Sequence, residues 1–470
     1  MEDHTAQHKA DSFSVFVLLI LLMATIMTVW ALKKKQIRTI HESAMSIIYG
    51  VLIGCFVRFT PGEMVQNEVV FDPELFFYLL LPPIVFHAGY SLNREYFFRN
   101  FGAILMFSLC GTFLSCVTVG AIVFPLTVIF HDSLGKFLSI YDCMRFGALI
   151  SSTNPMAVLA LMRDFQTDPD LYSLLFGESL LNNAVSIVLY TSIVGMGAQS
   201  KLTLGTAMLN FASTFLGSFS LGVLIALITA IFLKYTTIRK YDTLESALFF
   251  VLSYSSYLIA EGFGMSGIVS VLFCGIVQAH YSYHNLSPET QLRTRELFEL
   301  LNFMAENMVL SYLGISLFSY SGHVFKPLFV LWSLFAILVA RAVNIFPLAY
   351  LYNFVRRKNP VAKINIRFQM VIWFAGIRGA IPFALAMQSH SSPADRIILS
   401  TTLVIVLCTV IAIGAAAHSV MDVLGILETA SDPSGMVTYF ILFICSAFTA
   451  SLFHFVDSFC HASFLGSARI

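Results

Sequence analysis

The sequence predicts an all-α membrane protein of about thirteen transmembrane helices in two inverted six-helix repeats, with discontinuous crossing helices and one extra C-terminal apolar segment. Three observations predict it. The 470 residues are 57% hydrophobic and only 11% charged, whereas a soluble globule carries about 25% charged residues. The chain is divided into apolar runs, many of which reach the roughly 20 residues that cross a bilayer as helix. Two runs at corresponding places in the order are broken by Gly, Pro and polar residues.

The first run, residues 13–32, is followed by Lys33, Lys34 and Lys35 and preceded by Glu2, Asp3 and Asp11. This order argues against a cleaved signal peptide and puts residues 1–12 on the lumenal or extracellular side as a short N-terminus. Further spans are expected at 43–58, 70–90, 102–130, 144–162 and 171–196. A second set follows at 204–233, 243–260, 264–280, 298–319, 326–354, 368–388 and 397–425. Basic residues test this count, because one missed span would scramble every later loop. Seventeen Lys and Arg fall in loops assigned to the cytoplasmic side, among them Arg94, Arg163, Arg239 and Arg356, against seven on the other side. After the transmembrane domain (13–425) come a polar linker (426–435), the extra apolar segment (436–455) and a tail (456–470).

With the span at 204–233 set aside as a linker, the rest forms two sets of six in opposite orientation. The interrupted spans, 144–162 and 368–388, then occupy the same place in each set. One is broken at Thr153, Asn154 and Pro155. The other reads "WFAGIRGAIPFAL", with Gly376, Gly379 and Pro382 around Arg378. Paired broken helices at matching positions point to a secondary transporter whose site lies where they meet.

Pro155 has no N–H and disfavours helix at Asn154, so carbonyls at membrane depth are freed for another partner. A cation fits that role, and so does a Pro-kinked helix satisfied by Ser151, Ser152 and water. In the following span Glu178, Asn182, Asn183 and Ser186 fall at i, i+4, i+5 and i+8, one polar stripe on an apolar helix. Asn in membrane helices often serves as interhelical glue. Two adjacent Asn one turn after a Glu favour a cation-binding role for Thr153, Asn154, Asn182, Asn183 and Ser186. Glu178, Glu306 and Arg378 are the ionisable residues most firmly inside spans, and an intramembrane charge pair between Glu178 and Arg378 is expected. Glu261 and Arg341 are expected to snorkel to the interface.

His87, below Pro82 and Pro83, reads better as a satisfied histidine than as a proton sensor. "GFGMSG" at 262–267 fits a short interhelical turn, since no strand precedes it. The scattered cysteines have no ligand spacing, and the zero net charge and short basic clusters exclude a nucleic-acid partner. With no nucleophile elbow, P-loop or metalloprotease motif, the chain is not read as an enzyme. No cofactor is expected, and no metal beyond the transported ion.

The blocks "FFYLLLPPIVFHAGYSL", "LYSLLFGESLLNNAVSIVL", "GIVSVLFCGIVQAHY", "LSPETQLRTRELFELLNFMAEN" and "WFAGIRGAIPFALA" resemble the sodium/proton exchanger family of the cation/proton antiporter superfamily, and look closest to its organellar, endosomal subgroup. The resemblance implies a homodimer, or a heterodimer with related exchangers. It also implies a mobile core moving by an elevator-like step, and exchange of Na⁺ or K⁺ for H⁺ across endosomal or Golgi membranes, with the plasma membrane as the alternative. In similar sequences the motifs read Thr-Asp-Pro and Asn-Asp; here the matching positions hold Asn154 and Asn183. An amide does not titrate. The alternative implied is therefore a transport-deficient member acting as a dimer partner or scaffold.

Overall fold

The fold follows from apolar helices that leave their backbone polar groups satisfied internally, the condition for crossing lipid. The computed structural model describes residues 2–34, 42–59, 74, 76–129, 138–154, 156–164, 167–198, 204–319, 322–356, 363–376, 378–389 and 392–425. The expected helix break at Pro155, the linker, the extra apolar segment and the tail lie outside the described residues.

Among the described residues there is no strand. The first half holds α1 (Glu2–Lys34), α2 (Glu42–Phe59), a π-helical turn at Phe76–Leu80 leading into α3 (Leu81–Tyr90), α4 (Arg94–Ile129), α5 (Ile140–Ser151), α6 (Met156–Asp164) and α7 (Pro169–Ala198). The second holds α8 (Leu204–Tyr235), α9 (Asp242–Gly262), α10 (Gly267–Tyr281), α11 (Pro288–Ser319), α12 (Pro327–Val355), α13 (Ile366–Phe374), α14 (Ala380–Gln388) and α15 (Pro393–Val423). Every apolar run read as a span overlaps helix. The two interrupted runs are each split, into α5 with α6 and α13 with α14. Helix α1 starts well ahead of residue 13, because nothing between Glu2 and Asp11 breaks a helix. Among the described residues, seven helices have the length and apolarity to cross a bilayer, and large apolar side chains such as Leu209, Leu216 and Ile231 on α8 face outward.

Two groups of helices organise the interior. In one, α4 packs against α5, α7 and α12, while α15 touches α6, α12 and α14. In the other, α2 lies along α11 and α10 lies against α3 and α8. The α2–α11 contact depends on small residues, as helix pairs in lipid commonly do. Gly50 lies against the Ser311 carbonyl and Gly314; a Cβ added at Gly54 would stand 2.8 Å from the Ile315 carbonyl oxygen, and one at Gly314 2.8 Å from the Val51 nitrogen.

Helix ends are fixed by specific chemistry. Ser139 and Asp142 form a capping box on α5, and Ser392 and Asp395 form another on α15. Such reciprocal pairs satisfy two of the N–H groups that a helix start leaves open. Arg145 bridges both boxes, 3.2 Å from Asp142 and also paired with Asp395. On the link between α11 and α12, His323 spans from the Ser316 carbonyl (2.8 Å) to Ser400 Oγ (3.1 Å), tying the end of α11 to α15.

Two predictions follow from these contacts. Gly54→Val or Gly314→Val forces α2 and α11 apart and costs about 1–3 kcal/mol, the usual penalty of overpacking; a thermal midpoint equal to that of the parent protein would remove the close approach as a source of stability. Burial holds the His323 imidazole below its ordinary value of 6.5. As pH falls through that value the unfolded chain takes up the proton first, so this contribution is complete above 6.5 and is lost on acidification. The midpoint should therefore drop below neutral pH, and His323→Gln should flatten the drop; an unchanged slope would assign it elsewhere.

Candidate functional site: a crossing of two broken helices

Helix α5 stops at Ser151 because Ser152 turns to extended geometry (φ −59°, ψ 132°), and residues 152–154 are unwound. Helix α13 stops at Phe374, and α14 restarts behind Gly379, whose extended backbone carries no side-chain cap. The two breaks touch. A Cβ at Gly379 would lie 2.7 Å from Asn154 Cβ, so only glycine lets the second break seat against the first. Gly376 likewise admits Arg341, whose Nε would stand 3.2 Å from an added Cβ. Pro382 differs from the expectation: it lies inside the first turn of α14, where its missing N–H leaves no hydrogen bond unmade.

Helix α7 supplies the polar face. Ser179 Oγ donates to the Thr153 carbonyl at 2.6 Å. Asn182 Nδ2 donates to the Ser151 carbonyl at 3.0 Å and to Thr153 Oγ1 at 3.2 Å, while its Oδ1 accepts from Thr112 of α4 at 2.6 Å. Asn183 Oδ1 accepts from Ser152 Oγ at 2.6 Å. Ser186, one turn on, donates to the Ala148 carbonyl within α5. The structure thus gathers Thr153, Asn154, Asn182 and Asn183 at the break, with Ser186 holding the adjoining turn.

The charges are paired differently from the expectation. Glu178 does not pair with Arg378. It receives a two-pronged contact from Arg341 of α12, Nη1 to Oε1 at 2.6 Å and Nη2 to Oε2 at 3.0 Å, and Nη2 also donates to the Ile372 carbonyl. Arg341 is 4% exposed and Glu178 1%. It cannot snorkel, because it sits near the middle of α12 facing α4 and α7 rather than at a helix end. Arg378 instead crosses to the other broken helix: its Nη1 donates to the Ser151 and Ser152 carbonyls at 3.1 and 3.2 Å, and its own N–H donates to Thr409 of α15. A guanidinium suits both places, since its donor fork matches a carboxylate in one and two carbonyls in the other.

Glu306 lies half-buried on α11, beside Asn307, which accepts from Ser46 of α2; α11 packs mainly on α2, so this carboxylate belongs to the other helix group. His87 is half-buried on α3. The "GFGMSG" stretch turns α9 into α10, with Gly264 at φ 68° and the Glu261 carboxylate accepting from the Gly267 N–H.

The comparisons with known proteins fit this geometry. A sequence model described as "Sodium/hydrogen exchanger, transmembrane" matches residues 18–422. The chain belongs to the sodium/hydrogen exchanger family. Sodium/hydrogen exchanger 9 of Rattus norvegicus is 39% identical over 467 residues, covering 87% of this chain and 72% of the relative. The endosomal/prevacuolar sodium/hydrogen exchanger of Saccharomyces cerevisiae is 37% identical over 434 residues, covering 88% and 68%. Among solved structures, the sodium proton antiporter MjNhaP1 from Methanocaldococcus jannaschii superposes with a TM-score of 0.66 at 15% identity, over 87% of this chain and 97% of that one. The exchanger fold, with its two interrupted helices, is therefore the frame in which the amides of Asn154 and Asn183 sit.

The pairing of Glu178 makes a direct prediction. Removing one member of a buried ion pair strands the other and costs about 3–5 kcal/mol, whereas replacing both with apolar residues is often near neutral. Glu178→Gln should strongly lower the thermal midpoint, and Glu178→Leu with Arg341→Leu should recover much of the loss. A double variant as unstable as the sum of its single changes would show that the two residues act separately.

Proposed function

We propose that this exchanger-family chain is a secondary-active antiporter of endomembranes, exchanging Na⁺ or K⁺ for H⁺ by elevator-type alternating access as a dimer. The observation that carries the reading is the meeting of two interrupted helices on a polar face of α7, which gathers carbonyl, hydroxyl and amide oxygens at membrane depth. Oxygen ligands of this kind suit hard monovalent cations. The endosomal relatives support an endomembrane site. The order of basic residues supports a lumenal or extracellular N-terminus.

A second reading is favoured by a specific observation. Proton-coupled exchange at one site needs a group that binds cation and proton in turn, and the two central side chains, Asn154 and Asn183, are amides that do not titrate. Glu178, the carboxylate nearest to them along α7, is committed to Arg341. On this reading the chain keeps the exchanger scaffold without transport and acts as a dimer partner of active relatives.

Reconstitution in liposomes with an imposed pH gradient separates the two. The antiporter reading expects Na⁺- or K⁺-dependent proton movement by the unmodified protein above protein-free vesicles. Movement that emerges only with Asn183→Asp and Asn154→Asp would make the chain a transport-deficient member.

A further inference from the structure

Apart from the oxygens of the crossing, α12, α13 and α15 leave a cavity of about 50 Å³ between them. Its walls are apolar. Leu334 and Ile337 of α12 and Phe374 of α13 are buried there, while Trp373 and Ile413 are half-buried at its rim. The lining Leu338 continues into a side chain that faces outward, Phe335, one turn earlier on α12. In a bilayer this opening meets hydrocarbon.

One polar group of this lining is unspent. Arg341 is 4% exposed, and its terminal nitrogens go to Glu178 and the Ile372 carbonyl, but its Nε has no hydrogen-bond partner among the described residues. Gly376 leaves the space beside that Nε open, since a Cβ there would stand 3.2 Å from it. The other polar side chains are engaged: Thr409 Oγ1 donates to the Val406 carbonyl and accepts the Arg378 N–H, and Trp373 Nε1 donates to the Leu338 carbonyl. A water here would find one side-chain partner, where a buried water ordinarily makes about three hydrogen bonds. Glu178 already neutralises the guanidinium, so an anion or a cation would bring an uncompensated charge into the interior.

We propose that this cavity binds a small neutral molecule with an apolar body and one hydrogen-bond acceptor, a ketone or ether oxygen, that enters from the lipid. The acceptor takes the Arg341 Nε–H beside Gly376, and the apolar body lies along Ile337 and Phe374 and passes out between Trp373 and Ile413. The enclosed space is smaller than the dry cavity of about 150 Å³ that admits benzene. It therefore holds the head of such a molecule, and the rest extends through the mouth. Bound there, the molecule joins α12, α13 and α15 beside the second break. The site draws on none of the oxygens assigned to a cation and stands whether or not the chain moves cations.

The test measures thermal midpoints of the purified full chain in detergent with benzylacetone, a ketone, and with butylbenzene, phenylbutyrate and phenylbutylamine, which share its carbon skeleton, at equal concentration in the micelle. Benzylacetone should raise the midpoint saturably by about 2 °C or more, as a ligand of the folded state does. Butylbenzene lacks the acceptor and should need about tenfold more, the factor carried by one hydrogen bond to a charged donor; the two charged analogues should not raise the midpoint. Ile413→Phe, which fills the mouth, should abolish the rise. Glu178→Leu with Arg341→Leu keeps the apolar walls but removes the donor, and should make benzylacetone and butylbenzene equivalent. The absence of a saturable rise in the parent protein would overturn the proposal. Equal action of benzylacetone and butylbenzene on the parent would also overturn it, making the cavity a slot for lipid tails, as would an undiminished rise in Ile413→Phe. Should the variants fail to unfold cooperatively, a photoreactive diazirine analogue of benzylacetone decides with the parent protein. Adducts on α12, α13 and α15 that excess benzylacetone removes are expected, and adducts only elsewhere overturn the site.

Discussion

The constraint on which the rest of this structure depends is the unwinding of the chain at residues 152–154. Carbonyls released from a helix at membrane depth have no water to turn to, and each must be met by protein. Here the meeting is done by side chains from two directions: Asn182 and Ser179 from α7, and Arg378 from the opposite break. Gly379 has no Cβ because Asn154 occupies that space, and Thr112 of α4 takes the oxygen that Asn182 turns away. The polar stripe on α7 is thus first a structural requirement of the broken helix, and any ligand chemistry is built on that arrangement.

The division of labour between the two arginines follows from the same constraint. Glu178 is on the side of α7 that faces α12, so it takes Arg341 through both carboxylate oxygens. Arg378 lies within the second break, where its shortest route to acceptors is across the crossing to the end of α5. A single residue could not serve both, because the carboxylate and the unwound carbonyls lie on different faces. The pair locks α7 to α12, and the lone guanidinium locks α13 and α14 to α5.

Much of this was legible in the sequence, and what was not has a physical reason. Apolar runs located the helices, since spanning length and composition are local properties, and Gly and Pro marked both interruptions. The 3.6-residue period placed Glu178, Asn182, Asn183 and Ser186 on one face. Which partner each would find was not local information. Arg341 reads as a snorkelling residue when only its own helix is considered, and its pairing with Glu178 depends on how α4, α7 and α12 pack. Ser179 and Thr112 are missed for a related reason: hydroxyls are common in membrane helices, where they usually bond back to their own carbonyls, and only the neighbouring backbone shows that Ser179 does not. The identity of the residues at the crossing was legible, but the direction in which each points was settled by packing.

The clasp formed by Arg145 between the capping boxes of α5 and α15 fixes where the molecule can bend. Two helix starts held by a shared guanidinium form a stiff corner, since tilting one against the other would break the Arg145–Asp395 ion pair. The unwound residues 152–154 have no such reinforcement along the backbone, only side-chain contacts that can be exchanged one at a time. The first broken helix is therefore least constrained along its backbone at residues 152–154, while the start of α5 is tied to the start of α15.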